Sequence, residues 1–316
     1  MSTKKRPITA IITRTKNRPV LFERAVKSVL AQTSKDYIHV ILNDGGDKEV
    51  VEKILAENPD ENRKVIHNKE SAGLVAALNQ AIRAVDSEFI AILDDDDVWH
   101  PERLEKSLDT IAAHAACAAV APMEIVIESI DEQGGIIEEI ERKPHPESWS
   151  GEVNLFRQAH RNFLSNGAIH YSRDLYDKLG GYDESLPVAE DWDFGIRLLL
   201  ETDVEQVRSE EALVYYNQRP SIKTGDLGNS VHARVLEQER AINIVRNRFL
   251  REELRKGVLG IGYIMNDSEQ SLVNVVRLEG HVNRAVDEIR NDINTAKHSL
   301  MDTRFYSKVR RLLGGR

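Results

Sequence analysis

Four consecutive aspartates, Asp94 to Asp97, close a short apolar run, Phe89-Ile90-Ala91-Ile92-Leu93, and precede Val98-Trp99-His100-Pro101. Adjacent carboxylates repel one another unless positive charge lies among them. The apolar run reads as a buried strand, which places the acids at its carboxyl end, the edge where parallel α/β sheets bind ligands. Oxygen-only ligands there favour a hard divalent cation, Mg²⁺ or Mn²⁺. A calcium loop of the helix-loop-helix kind is excluded, because counting from Asp94 its oxygen-bearing fifth position is Val98 and its glycine sixth position is Trp99. A helix N-cap before Pro101 would use one carboxylate and leave three without a role. A cation that grips a diphosphate accounts for the whole cluster.

Two further acidic sites carry chemistry. Asp44 follows a second apolar run in Val40-Ile41-Leu42-Asn43-Asp44-Gly45-Gly46-Asp47, where a carboxylate at a strand end can reach a base or ribose. The competing reading is an Asp-Gly turn leading into a helix capped by Asp47. Glu190-Asp191-Trp192-Asp193, followed by Arg197, belongs at the start of a helix. A carboxylate held there in a cleft could take a proton from an attacking hydroxyl, and the residues alone do not rank Asp191 above Glu190. The polar, basic stretch Thr13-Arg14-Thr15-Lys16-Asn17-Arg18-Pro19 suits a diphosphate or a base, or else Asn17 caps the next helix.

These sites need a scaffold, and the chain supplies an alternation of short β-rich runs and longer helical ones. Strands are expected at Ile8 to Thr13, Tyr37 to Leu42, Lys64 to His67, Glu88 to Leu93 and Ala118 to Ile127. Helices are expected near Pro19 to Gln32, Lys48 to Glu57, Ala72 to Val85 and Pro101 to His114, with Pro101 at the first helical position. The pattern predicts an α/β fold with a nucleotide-binding sheet. After the turn signal Gln133-Gly134-Gly135 the regularity loosens through Pro144, Pro146 and Gly151. That stretch, or Arg219 to Gly228, could supply a loop that closes over a substrate.

A composition change near Gly225-Asp226-Leu227-Gly228 marks the expected domain boundary, giving 1–226 and a helical extension over 227–316. In the extension, Val275, Val282, Ile289 and Ala296, with the companions Val286, Ile293 and Leu300, form a coiled-coil-like seam over about three heptads. The seam suits a homo-oligomer or packing on the chain's own domain. The segment Arg304 to Leu313 mixes basic and apolar residues, a pattern for peripheral contact with an anionic membrane surface.

Of 316 residues, 41% are hydrophobic, which suits a globular protein with a sizeable core. A formal net charge of -9 argues against nucleic acid as a general partner. The single cysteine, Cys117, excludes an internal disulfide framework, so the expected setting is the cytoplasm, with the inner face of the membrane as the site of any peripheral contact. No segment reaches the roughly 18 apolar residues of a membrane span, and the short apolar run after Lys4-Lys5-Arg6 suits a first strand better than a secretory signal.

Thr15-Lys16-Asn17-Arg18, Asn43 to Asp47, Leu93 to Asp97, Gly180-Gly181-Tyr182-Asp183-Glu184 and Glu190-Asp191 occur in this order at suitable intervals. Over about residues 7 to 220 the chain resembles family 2 glycosyltransferases of the GT-A fold. The resemblance implies a mixed, mainly parallel sheet flanked by helices, and inverting transfer from a nucleotide-sugar donor to a glycan or lipid-linked acceptor. It implies Thr15, Lys16, Arg18, Asp44, Gly73, Asp94 and Asp95 around the donor, with Thr15 and Asp44 near the base and Asp94 near the ribose. It further implies Asp96 on Mn²⁺ or Mg²⁺, His232 as a candidate to complete the metal shell, and Asp191 as the catalytic base. Two departures stand out: Leu78 falls where many members carry an arginine, leaving the phosphate contact to Arg14 or Lys16, and Asn43 stands where an acid is common. A sugar-phosphate nucleotidyltransferase, which would give the acids near 190 no required role, and a non-catalytic scaffold that recruits through its tail are the alternatives.

Overall fold

The computed structural model describes residues 7–145, 153–223, 225–229, 232, 234–258, 260–262, 265, 289–290, 308 and 311–313. The chain forms two compact units, Met1–Gly262 and Tyr263–Arg316. The first holds a seven-stranded sheet and a smaller four-stranded one.

In the first unit β1 (Thr9–Thr15), α1 (Pro19–Leu30), β2 (Tyr37–Asp44), α2 (Lys48–Glu57), β3 (Arg63–Asn68), α3 (Leu74–Arg83) and β4 (Phe89–Ile92) alternate as the pattern requires. Strand β1 lies between β2 and β4 and is parallel to both, and β3 extends the sheet beyond β2. Ala10, Ile11, Ile12, Val40, Ile41, Leu42, Ile90 and Ala91 have no solvent exposure. They form continuous apolar runs because helices cover both faces of a parallel sheet, and full burial of each larger side chain is worth about 1.5–3 kcal/mol. Pro19 opens α1, where its missing N–H costs nothing, and the Asp47 carboxylate caps α2 by accepting from the Val50 N–H at 3.1 Å.

The chain continues through β5 (Val98–Trp99), α4 (Arg103–His114), β6 (Ala118–Val120), β7 (Met123–Ile130), β8 (Ile136–Pro144), α5 (Leu155–His160) and β9 (Ile169–Ser172). It then forms α6 (Arg173–Leu179), α7 (Glu190–Leu199), β10 (Glu205–Gln206), β11 (Val214–Gln218) and α8 (Val235–Lys256). The large sheet runs β10-β6-β9-β4-β1-β2-β3, with β9 antiparallel to β4 and β6, and the small sheet runs β5-β11-β7-β8. The mixed, mainly parallel architecture matches the expectation.

Three local expectations are corrected. The run Ala118 to Ile127 is not one strand: β6 ends before Ala121-Pro122 and β7 begins in the other sheet. Pro122 has no N–H to donate to a ladder, so the apolar run changes sheets there. Pro101 lies in a turn ahead of α4 rather than at its first position. The helix starts at Arg103, whose buried guanidinium lies 4.6 Å from the centre of the Trp99 ring and donates to the carbonyls of Ala168 and Ile169. Gln133-Gly134-Gly135 does form a turn, held by the Asp131 carboxylate, but it joins β7 and β8 in a hairpin that stays paired to Pro144, with register shifts at Ile127/Glu128 and Ser129/Ile130.

The compact units part after Gly262, not at the composition change near 226. Helix α8 belongs to the first unit because Ala241 and Val245 are fully buried and Arg248 pairs with both Asp183 and Asp193. Apart from Ile289, Lys308 and 311–313, the heptad row and the basic segment lie outside the described residues; Ile289, Leu312 and Leu313 are exposed. Among the described residues no helix is long and apolar enough to cross a membrane.

Candidate active site

The parallel register Thr15 to Asn43 brings the ends of β1 and β2 level, and β4 delivers the aspartates to the same edge. A cleft of about 710 Å³ opens there. Its lining includes Arg14, Thr15, Lys16, Arg18, Asp44, Asp94 to Asp97 and, from the start of α7, Glu190 and Asp191. Helix α8 closes one wall with Gln238, Ile242 and Arg246, spaced four residues apart on one face.

The acidic quartet is threaded with guanidinium groups. Arg14 Nη2 lies 3.2 Å from Asp94 Oδ1, and Arg18 Nη1 lies 3.1 Å from Asp95 Oδ1 and 3.2 Å from Asp96 Oδ2. Arg219, without solvent exposure, donates to Asp96 Oδ2, and the Asn229 amide reaches the same oxygen at 3.2 Å. Asp97 accepts from the Asn217 N–H of β11 at 2.9 Å, which locks the small sheet onto the end of β4. Burial pushes the Asp95 carboxyl up to about 6 against the pull of Arg18. Burial, with Asp96 and Asp94 close by, pushes Asp97 well above the usual range, and burial raises Asp94 despite Arg14. Oxygen-only carboxylates suit a hard divalent cation, and Asp94 and Asp96 are the ones that would hold it.

Asp44 and Gly73 serve the loop as well as the cleft edge. Asp44 accepts from Asn68, the Ser71 hydroxyl and the N–H groups of Ala72 and Gly73 at 2.7–3.2 Å. Burial opposes ionisation, but these donors hold the carboxyl below its usual range. Gly73, at φ +91°, is the N-cap residue of α3 and is not among the cleft-lining residues, whereas Ser71 and Leu74 are. Asn43 closes an Asx turn with Gly46, accepting its N–H at 3.0 Å and donating to its carbonyl at 2.9 Å. Leu78 is a fully buried core residue of α3, while Arg14 and Lys16 line the cleft.

At the other wall the structure separates the two acids that the residues alone left level. Burial pushes both carboxyls up, Glu190 to about 8 with Asp191 adding to it, and Asp191 to about 6. Asp191 is held lower by the Asn162 amide, which donates to Oδ2 at 2.7 Å, and by the Trp192 N–H at 2.8 Å. Asp191 is therefore the more readily ionised of the two and Glu190 the more readily protonated. Asp193 is committed elsewhere, to Arg197 at 2.8 Å and to Arg248. The Gly180-to-Glu184 motif is a bracket: Gly180 caps α6, the Tyr182 hydroxyl donates to Asn166 at 2.8 Å, and Glu184 accepts from Asn79 at 2.9 Å.

His232 is not among the cleft-lining residues; its Nε2 is buried without a hydrogen-bond partner, and burial lowers its basicity. Among the described residues no group of three or more His, Cys, Asp or Glu side chains is arranged to hold a metal ion. Glu128, Arg24 and Asn162 were missed as site residues, and Arg219 was noted only as part of a loop. Glu128 left one signal: it shares the buried face of β7 with Val126, where an acid needs a partner.

A mixed sheet with an acidic cluster at the end of its fourth strand and a carboxylate across the cleft defines a nucleotide-binding fold of the GT-A type. The chain belongs to glycosyl transferase family 2, whose model matches residues 10–180. An uncharacterized glycosyltransferase of Methanocaldococcus jannaschii is 27% identical over 201 residues, covering 61% of this chain and 65% of that protein. The putative colanic acid biosynthesis glycosyl transferase WcaA of Escherichia coli is 28% identical over 200 residues, covering 63% of this chain and 68% of WcaA. The crystal structure of S. aureus TarS in complex with UDP-GlcNAc aligns with a TM-score of 0.57 at 18% identity, over 77% of this chain and 66% of that chain. At that identity the likeness is one of fold.

Proposed function

We propose that this chain is an inverting glycosyltransferase that moves a sugar from a nucleotide-sugar donor to a hydroxyl of a glycan or lipid-linked acceptor. The observation that carries this reading is one cleft holding two kinds of acid: a quartet laced with arginines, and Asp191, a half-buried carboxylate raised to about 6 and held by neutral donors. Asp191 accepts the proton of the acceptor hydroxyl as its oxygen forms the bond to the anomeric carbon and the sugar–phosphate bond breaks on the opposite face. The nucleoside diphosphate leaves, and the single displacement inverts the anomeric centre.

Thr15, Lys16 and Arg18 of the β1 loop, the Asp44-braced loop through Gly73, and Asp94 and Asp95 surround the donor. Asp96 with Asp94 would hold a divalent cation, Mn²⁺ or Mg²⁺, whose charge would offset that of the leaving diphosphate. His232 is its candidate further ligand, on the strength of the unpartnered Nε2. A polysaccharide acceptor is favoured by the colanic acid role in the name of the Escherichia coli relative.

A panel of UDP-, GDP- and dTDP-sugars with Mn²⁺ tests the reading, since a ligand of the folded state raises the melting temperature. At least one donor should do so and, with a glycan acceptor, release nucleoside diphosphate. Failure of every donor to shift the transition contradicts it.

A further inference from the structure

Behind the quartet lies a second layer of charge. Glu128 of β7, 2% exposed, accepts from Arg24 of α1 at 2.7 and 3.0 Å and from Arg219 Nη1 at 2.7 Å. Both arginines reach on to Asp96: Arg24 Nη2 donates to its backbone carbonyl at 2.9 Å, and Arg219 Nη2 to its carboxylate Oδ2. Arg219 also donates from Nε to the Leu227 carbonyl at 2.9 Å, so it has no other direction in which to lean. One buried carboxylate thus fixes two guanidiniums, one on the backbone and one on the side chain of the same aspartate. Arg18 and the Asn229 amide also reach that Oδ2.

We propose that Glu128 is a positioning residue for the donor site, acting through Arg219 on Asp96. Arg219 is a built-in cation on the Asp96 carboxylate, and a divalent ion takes that oxygen in exchange for the Arg219 contact. Glu128 sets the terms of the exchange, because it offers Arg219 a second carboxylate to hold when Asp96 turns to the metal. This inference rests on the proposed role of Asp96 as the metal-holding carboxylate.

The geometry makes the two partners act with opposite sign. Removing the guanidinium takes one of the two cations off Asp96 Oδ2, with Arg18 and the Asn229 amide remaining, and leaves Glu128 paired with Arg24, so metal binding tightens. Removing the charge of Glu128 leaves Arg219 with Asp96 as its one carboxylate partner, so Arg219 grips harder and metal binding weakens. A purely structural pair would move metal affinity in one direction for both changes, or not at all.

The test is Mn²⁺ affinity of the full chain, measured without donor by the loss of the free-ion electron paramagnetic resonance signal, with circular dichroism as the check on folding. Arg219→Met is expected to tighten Mn²⁺ binding about tenfold and Glu128→Gln to weaken it about tenfold, the lower end of what residues behind metal ligands contribute. Arg219→Lys, which keeps a charge but cannot bridge two carboxylates, should tighten binding by less, and it carries the test if Arg219→Met does not fold. Unchanged affinity in the arginine variants, or a change of the same sign in the glutamate variant, overturns the proposal. Donor binding by thermal shift on the same samples separates the two readings. If the wild type binds donor and Mn²⁺ but the variants leave Mn²⁺ affinity unmoved, the exchange alone fails; if neither Mn²⁺ nor donor binds any form, the reading of the site fails with it.

Discussion

The two acidic runs facing this cleft, Asp94 to Asp97 and Glu190 to Asp193, have similar compositions and opposite surroundings. The first is matched by guanidiniums drawn from distant parts of the chain, Arg14, Arg18 and Arg219. In the second the arginines go to Asp193, through Arg197 and Arg248, and Asp191 is held by an amide and a backbone N–H. Burial raises the carboxyls at both walls, Asp95 and Asp191 alike to about 6, and what differs is the partner that opposes it, a guanidinium at the first and neutral donors at the second. The same residue type thus meets cations at one wall and neutral donors at the other.

Breaking the anchoring layer should have the largest effect on the molecule. Glu128→Ala leaves the fully buried Arg219 and the partly exposed Arg24 each short of a carboxylate and should lower unfolding free energy by about 3 kcal/mol, read from chemical denaturation. Asp96→Ala should abolish metal-dependent transfer, a loss of at least about 10²-fold, and should weaken donor binding as well, because the anchor acts on the donor's charge.

The proton-accepting wall answers to pH. Turnover should fall as pH drops through about 6, where Asp191 takes up its proton. Asn162→Ala removes the hydrogen bond that favours the charged form, so the acid limb should move to higher pH by about one unit, consistent with about 1.5–3 kcal/mol for a hydrogen bond to a charged group. An unmoved limb would mean that another group controls it.

Stability itself depends on pH. Asp95, Glu190 and Asp191 all have folded-state values above those of the unfolded chain, so their contribution is fully present below about pH 4 and is lost as pH rises through 6 to 8. The metal-free protein should therefore melt progressively lower between pH 5 and pH 8, and Mn²⁺ should recover part of the loss at pH 8.

Much of the scaffold behind this contrast is legible in the sequence. Apolar runs at β1, β2 and β4, Pro19 opening α1 and Asp47 capping α2 are local signals, and each element formed where its signal lay. Pro122 was visible too, but an apolar run on both sides of it concealed the change of sheet. The partners of the acids were hidden for a different reason: Arg219 meets Asp96 and Glu128 only because the small sheet crosses the end of β4. Likewise Glu190 and Asp191 are neighbours in one helical turn, and only burial and the Asn162 amide separate them.

The central claim is that Asp191 accepts the acceptor's proton while the quartet holds the donor. Its most direct test measures donor affinity and nucleoside diphosphate release on the same preparation of Asp191→Asn. The account predicts donor affinity close to wild type with turnover reduced about 10²–10⁴-fold; full turnover, or a loss confined to donor affinity, would contradict it.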